Sequence, residues 1–328
     1  VLAQLNFGIQ FHKSQFNMFG QGLNFGGIAG GGAGTDVDFL VIAGGGSGGN
    51  NWANPGYYSG GGGAGGYRTS FSTSGGNSSA EAKAALVSGT KYTITVGGGG
   101  NISSGTASSI TDPNSTIISS VGGGRGGLGT GTYSGTGNGY SGGSGGGTGT
   151  KPYIARSGGA GTPQQGFRGG NGLECNSLVG ASTGGGGAGE QGKDAIPPSQ
   201  GGSNCTATNG GNGLATSITG TSITRAGGGG GFNRPGGTGG GGHGAQNDQG
   251  GGMGSGTPNT GSGGGGSGRS GYSYEPPMIG GTGGSGVVVL RMATADYSGI
   301  TEGNPTVDQS SVTDTTILTF NGSGSYTH

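Results

Sequence analysis

Ala226-Gly227-Gly228-Gly229-Gly230-Gly231, echoed in kind at Gly239–Gly242 and Gly263–Gly266, is the stretch whose reading decides the fold. Glycine fills 98 of the 328 positions, against about 7% in ordinary proteins. Fixing each one costs roughly 0.5–1 kcal/mol more than fixing an alanine, so ordering them all costs on the order of tens of kcal/mol. Two answers exist. The runs stay flexible as linker, or they pack backbone against backbone where no Cβ fits. In the second case each run takes the polyproline-II type of helix, with about 3 residues per turn and ~3.1 Å per residue. Its N–H and C=O groups point sideways, so only neighbouring helices can satisfy them.

The interruptions favour the packed arrangement. Single apolar residues punctuate the runs without regular repetition, and the runs end in strand signals, for which a linker has no use. Gly169-Gly170-Asn171-Gly172-Leu173 leads through Ser177-Leu178-Val179-Gly180 to Gly184–Gly187. Gly210-Gly211-Asn212-Gly213-Leu214 leads in the same way through Ser217-Ile218-Thr219-Gly220 to Gly227–Gly231. The echo is too imperfect for a solenoid of fixed period; it points to successive out-and-back passes.

Outside the runs the clearest strand is Asp36-Val37-Asp38-Phe39-Leu40-Val41-Ile42-Ala43, stopped by Gly44. Lys91-Tyr92-Thr93-Ile94-Thr95-Val96 and Gly286-Val287-Val288-Val289-Leu290-Arg291-Met292 are the second and third. These three are expected to pair as one small sheet at the base of the glycine region. Residues 83–87 are read as a hairpin partner of the second, although Ser78-Ser79-Ala80-Glu81 also fits a capping box opening a short helix. At the C-terminus, 315–320 and 325–327 about the turn Asn321-Gly322-Ser323-Gly324 read as a β-hairpin. The fold class is therefore mostly irregular and all-β: a polyglycine-II helix sandwich on a small β base, with a C-terminal β-hairpin. Three regions follow: an N-terminal arm over 1–35, the glycine-rich sandwich with its base over 36–292, and a C-terminal β segment over 293–328. The arm carries Phe7, Phe11, Phe16, Phe19 and Phe25 at spacings that suit neither helix nor strand. It is read as an attachment or oligomerisation segment docking on another chain, the alternative being that it packs on its own domain.

Composition excludes several function classes. With 13 basic and 13 acidic residues and only 8% charged, nothing attracts nucleic acid or an anionic membrane. No apolar stretch approaches the ~20 residues of a membrane span, and none resembles a signal peptide. Cys175 and Cys205 are the only cysteines and lie in the echoing segments; they either bridge neighbouring passes or remain as two thiols. Gly44-x-Gly46-x-x-Gly49 after a strand matches the dinucleotide fingerprint in letters, but Asn50-Asn51-Trp52-Ala53-Asn54-Pro55 is a poor opening for the helix that motif needs. Gly187 to Asp194 nearly matches a phosphate loop, with Asp194 where a hydroxyl belongs. His12, His243 and His328 are scattered without zinc spacing, and no nucleophile context appears. No enzyme, cofactor or metal site is expected.

Aromatic loops carry more. Trp52, Tyr57 and Tyr58 share one loop, Tyr272 and Tyr274 another, and Tyr133, Tyr140 and Phe232 sit in others. Tyr and Trp give broad contact area at low entropic cost, and their faces suit sugars. These rings either make receptor contacts or cap the open ends of the glycine layers.

Phe39-Leu40-Val41-Ile42-Ala43-Gly44-Gly45-Gly46, Gly60-Gly61-Gly62-Gly63-Ala64-Gly65-Gly66-Tyr67-Arg68, Tyr92-Thr93-Ile94-Thr95-Val96-Gly97 and Gly283-Gly284-Ser285-Gly286-Val287-Val288-Val289-Leu290-Arg291 form an ordered frame. The frame resembles the glycine-rich domains of bacteriophage tail fibre and adhesin proteins, of the type found in marine phages. The resemblance implies a polyglycine-II sandwich on the virion surface, outside the cell, whose distal loops bind a bacterial surface glycan or outer-membrane protein. It further implies virion partners for the arm, and either a homo-oligomer or a tip on an oligomeric fibre. Two other readings stand beside it: a head fibre or capsid decoration acting as a spacer, and an ice-binding protein, for which the interruptions are too irregular.

Overall fold

The computed structural model describes residues 34–51, 57–129, 137–150, 154–174, 181–198, 205–246, 253–268 and 278–328. The Phe7, Phe11, Phe16, Phe19 and Phe25 arm lies outside the described residues.

Thr35–Ile42 is apolar on both faces because both faces are covered. Val37, Phe39 and Val41 pack with Val288, Leu290, Leu318 and Phe320 of their own sheet, and with Tyr92, Ile94, Ile110 and Tyr326 of a second sheet. The alternate residues Leu40 and Ile42, with Val287, Val289 and Ile317, meet Ala64, Ala188 and Ala226 of the glycine region. The first sheet is thus the middle layer, between a second sheet on one side and glycine helices on the other.

Every strand pairing among the described residues is antiparallel. The first sheet runs in the order Thr306–Asp308, Thr315–Phe320, Val287–Ala293, Thr35–Ile42, Tyr67–Thr69, with Ala84–Leu86 beside the start of Thr35–Ile42. The second runs Ile300–Glu302, Gly324–Thr327, Lys91–Thr95, Ser108–Thr111, Thr116–Ser120. Leu214–Thr216 and Ile223–Arg225 form a separate ribbon.

Four sequence readings are corrected here. Thr35–Ile42 does pair with Val287–Ala293, but Lys91–Thr95 stands in the other sheet, so the base is a two-sheet sandwich. Ala84–Leu86 pairs with residues 35–37 rather than with Lys91–Thr95. The link between them, with Gly89 at φ +76° and its N–H on His328 O at 2.6 Å, carries the chain from one sheet to the other, a step of about 10 Å. In place of a helix over 78–81, Glu81 folds back onto Arg68. The C-terminal hairpin exists, but its strands are Thr306–Asp308 and Thr315–Phe320. Gly324–Thr327 crosses to the second sheet beside Lys91–Thr95, because Phe320 and Tyr326 both fill the core between the sheets.

The glycine runs form a bundle whose hydrogen bonds count in threes. Within 59–66 the N–H groups of Ser59, Gly62 and Gly65 donate to Ser267, Gly264 and Gly261 at 2.8 Å. Those of Gly60, Gly63 and Gly66 donate to Gly127, Gly124 and Val121, and those of Gly61 and Ala64 to Thr183 and Gly186. Its carbonyls accept from 43–49, from 144–147 and from Gly229. Each residue turns about a third of a circle from the last, as a three-residue helix requires, so this pass has six neighbours and both backbone groups of residues 60–64 are used. The pass 44–49 shows the same count, its N–H groups going in turn to Thr106, Gly284, Gly63, Ser103, Gly281 and Gly60. None of the glycines 44–49, 60–66, 227–231 or 263–266 has positive φ, which gives these helices one hand. The two Gly-Gly-Asn-Gly-Leu stretches of the echo, 169–173 and 210–214, flank the pass 184–187: Gly170 N–H donates to Gly184 O and Gly211 N–H to Gly185 O, each at 2.9 Å.

Candidate functional site

The passes leave the sheets at residues such as Ala43 and Tyr67 and run about 20 Å at ~3.1 Å per residue to the bundle's far end. There the described residues that bound 52–56, 130–136, 151–153 and 269–277 come together. Asn51 bridges both Gly129 and Met278, and Tyr58 bridges Gly268. Thr150 N–H donates to Tyr58 O at 2.7 Å, and the Tyr58 N–H donates to Thr150 Oγ1 at 2.7 Å. Four separate stretches of the chain therefore start and finish at this tip, which is where the aromatic residues were expected to gather.

The eight aromatic candidates divide. Trp52, Tyr133, Tyr272 and Tyr274 lie outside the described residues. Tyr140 is exposed (45%) and Tyr57 is half-buried. Tyr58 and Phe232 are buried, with centroids 4.0 Å apart and planes at 15°, and they pack on Ala245 and Met253. These two rings take the capping role. A Cβ on Gly268 would meet Tyr58 Cδ1 at 2.5 Å and Phe232 Cδ2 at 2.7 Å, so the pair rests directly on bare backbone and seals the bundle there.

Sequence reasoning missed the aliphatic part of this end. Ile154, Ile196 and Ile279 are 38%, 54% and 47% exposed. The signal was available in each case, a lone isoleucine beside a polar or Pro-rich loop, as in Ala195-Ile196-Pro197-Pro198. Cys205 is buried and disulfide-bonded; Cys175 lies outside the described residues.

Hydroxyls stitch the passes below the tip. Ser59 Oγ donates to Ser267 O at 2.8 Å, and Ser267 Oγ donates to Gly49 O at 2.9 Å. Thr183 Oγ1 donates to Gly170 O at 2.6 Å and accepts from Thr148 N–H at 2.7 Å. The two serine hydroxyls add to main-chain bonds between the same passes, since Ser59 N–H also donates to Ser267 O and Ser267 N–H to Gly49 O, whereas Thr183 Oγ1 serves an N–H and a C=O directly.

The two nucleotide-like motifs have structural employment. The N–H groups of Gly44, Gly46 and Gly49 all donate to main-chain carbonyls, so none is left to cradle a phosphate. Asp194 receives both terminal nitrogens of Arg168, at 2.7 and 3.0 Å, and the Asn171 N–H at 2.7 Å. The Arg168 guanidinium holds the Asp194 carboxyl below its usual range. A groove of about 590 Å³ lies where the bundle joins the sheets, lined by Ser74, Asn77, Ser78, Glu81 and Gln164. Its carboxylate, Glu81, is engaged by Arg68 and by Ser74 Oγ.

Other arginines are not matched. Arg125 and Arg156 have buried guanidinium nitrogens with no hydrogen-bond partner, and burial pulls both below the usual arginine range. Among the described residues no group of three or more His, Cys, Asp or Glu could hold a metal, and no helix is long and apolar enough to cross a membrane.

No curated protein matches the chain. The model of a glycine-rich domain matches residues 27–293, a range that takes in both the passes and the strands Thr35–Ile42 and Val287–Ala293 that anchor them. By that match, and by a bundle in which main chain lies directly on main chain, the chain belongs to the glycine-rich domain family.

Proposed function

We propose that the protein is a non-enzymatic virion fibre or adhesin component of a bacteriophage, working outside the cell and presenting the bundle tip to a host-surface receptor. The observation that carries this reading is the division of the molecule. A hydrogen-bonded bundle brings the residues that bound four chain excursions together at one end, beside the exposed Ile154 and Ile279, while the chain enters Thr35–Ile42 at the sheets. A rigid scaffold carrying variable loops is the general plan of recognition proteins, and exposed apolar groups with aromatic neighbours favour a protein or glycan partner. The disulfide at Cys205 suits an oxidising, extracellular setting. The receptor is then a bacterial surface glycan or outer-membrane protein, and residues 1–35 join the chain to other virion proteins, as part of a homo-oligomer or at the tip of an oligomeric fibre.

A spacer role in a head fibre or capsid decoration is the second reading, favoured by one observation: Tyr58 and Phe232 are spent on sealing the bundle. Purified protein that adsorbs to host cells and blocks infection supports the adhesin. Particles that assemble normally around a protein with no adsorption support the spacer. Locating the chain on intact particles by electron microscopy separates tail from head attachment.

A further inference from the structure

Along the flank of the bundle, two arginines approach one short stretch of backbone, 137–140. A Cβ on Gly137 would meet Arg156 Cζ at 2.9 Å, Nη1 at 3.0 Å and Nε at 3.1 Å; such equal distances place the guanidinium face-on over bare main chain. Three residues on, the exposed Tyr140 donates its N–H to Arg125 O at 3.0 Å, and its hydroxyl lies within electrostatic reach of the Arg125 guanidinium. Arg156 Nε and Arg125 Nε and Nη2 are buried without an acceptor. Between them Asn138 is exposed, and its Oδ1 accepts the Ser157 N–H at 3.3 Å.

Three arginines are matched within the fold, while Arg225 Nη1 and Arg234 Nε share the unmatched state of those at 125 and 156. Arg168 meets Asp194, Arg68 meets Glu81, and Arg291 donates to Ile218 O. At 125 and 156 no described carboxylate forms an ion pair. Buried guanidinium donors without acceptors are costly; the nitrogens outside that buried set, Arg125 Nη1 and Arg156 Nη1 and Nη2, are the ones a planar oxyanion can reach. The strip also carries an exposed phenol ring, whose apolar face suits a sugar ring and offers a flat anion nothing.

We propose that Arg125, Asn138, Tyr140 and Arg156 form a binding strip for an anionic glycan bearing carboxylate or phosphate groups. This rests on the host-facing reading of the bundle and gives that receptor a chemical class. The donors take the oxyanions, and the ring takes the sugar face between them.

Affinity electrophoresis through gels containing polygalacturonate, phosphomannan, neutral dextran or polyglutamate tests it, using the full chain. Retardation is expected in polygalacturonate or phosphomannan, and the one that retards identifies the anion; dextran has no effect. Arg125→Gln with Arg156→Gln should weaken retention at least tenfold and flatten its dependence on salt, and Tyr140→Ala should weaken it further. Lys193→Gln, an exposed charge elsewhere on the bundle, should leave it within twofold. Thermal unfolding checks each variant, and Arg125→Gln alone serves if Arg156→Gln destabilises the bundle. Absence of retardation in both anionic glycans overturns the proposal. So does retention by polyglutamate that ignores Tyr140→Ala, which marks an acidic-peptide site, or a loss as large with Lys193→Gln, which marks charge alone. Host adsorption without glycan retention leaves the adhesin reading standing and removes this strip; glycan retention without adsorption does the reverse.

Discussion

At Gly62 the requirement for glycine is absolute in geometric terms. A Cβ there would meet Gly46 O at 2.1 Å and Ser47 O at 2.6 Å, and those carbonyls belong to a pass already bonded on its other sides. Overpacking usually costs about 1–3 kcal/mol when neighbours can shift. Here the neighbours are backbone, so Gly62→Ala should cost ~3 kcal/mol or more, read as a fall in Tm or loss of soluble protein. At Gly322 no atom stands within 4 Å of the place a methyl would take, so Gly322→Ala should leave Tm unchanged. Equal tolerance at both sites would refute close backbone packing. Tyr67 gives a second residue-scale expectation. Burial pushes its phenol up to about 12, with the Arg225 charge acting against the rise. The folded pKa lies above the unfolded value of about 10, so the contribution is intact below pH 10 and is lost as the pH rises towards 12. At about 1.4 kcal/mol per pH unit the loss is on the order of 2–3 kcal/mol, and Tyr67→Phe should remove that part of the alkaline decline in denaturant titrations at pH 9, 10 and 11.

Single passes carry almost no stability of their own, since a polyproline-II helix has no internal hydrogen bonds. Their amides are nevertheless all engaged, which predicts an unusual exchange pattern. The N–H groups of 44–49 and 60–66 should be among the slowest in hydrogen exchange, matching Phe39 and Leu290 in the sheet core, although their circular dichroism resembles unordered chain. Fast exchange across 60–66 would return these runs to linker. The cross-link at Cys205 belongs to this scale too. Cys175 is the only other cysteine in the sequence, so non-reducing peptide mapping should recover the two joined, and reduction should cost about 3 kcal/mol for a loop of roughly 30 residues. Much of this level was legible in the letters. Asp36 to Ala43 announced a strand, and runs such as Gly227–Gly231 announced packing that excludes side chains. What stayed hidden was partnership. Alternation in Lys91–Thr95 marks one buried face but does not say which sheet it faces, and the same limit sent Gly324–Thr327 to the wrong neighbour. Tyr58 and Phe232 lie far apart in the chain, so neither could show that its ring belonged to the other.

Across the whole molecule, folding and presentation are assigned to different residues, and that separation can be tested. The central pass 59–66 is bonded to partners from 43–49 to 261–267, so the bundle forms only when most of the chain is in place. Damage to its interior should therefore be global. Tyr58 and Phe232 belong to that interior: Phe232→Ala removes one ring of a stacked, buried pair and should cost about 3–5 kcal/mol. Trp52, Tyr272 and Tyr274 belong to the excursions whose bounding residues meet at the tip. If those excursions contact the host, replacing all three by alanine should leave Tm within about 2 °C while host adsorption falls at least tenfold. Phe232→Ala should show the opposite balance, with lower Tm and near-normal adsorption of the fraction that remains folded. Adsorption unchanged by the triple replacement would take receptor contact away from these loops. A fall in Tm as large as that of Phe232→Ala would place the three rings in the scaffold with Tyr58, and the protein would then be read as a spacer.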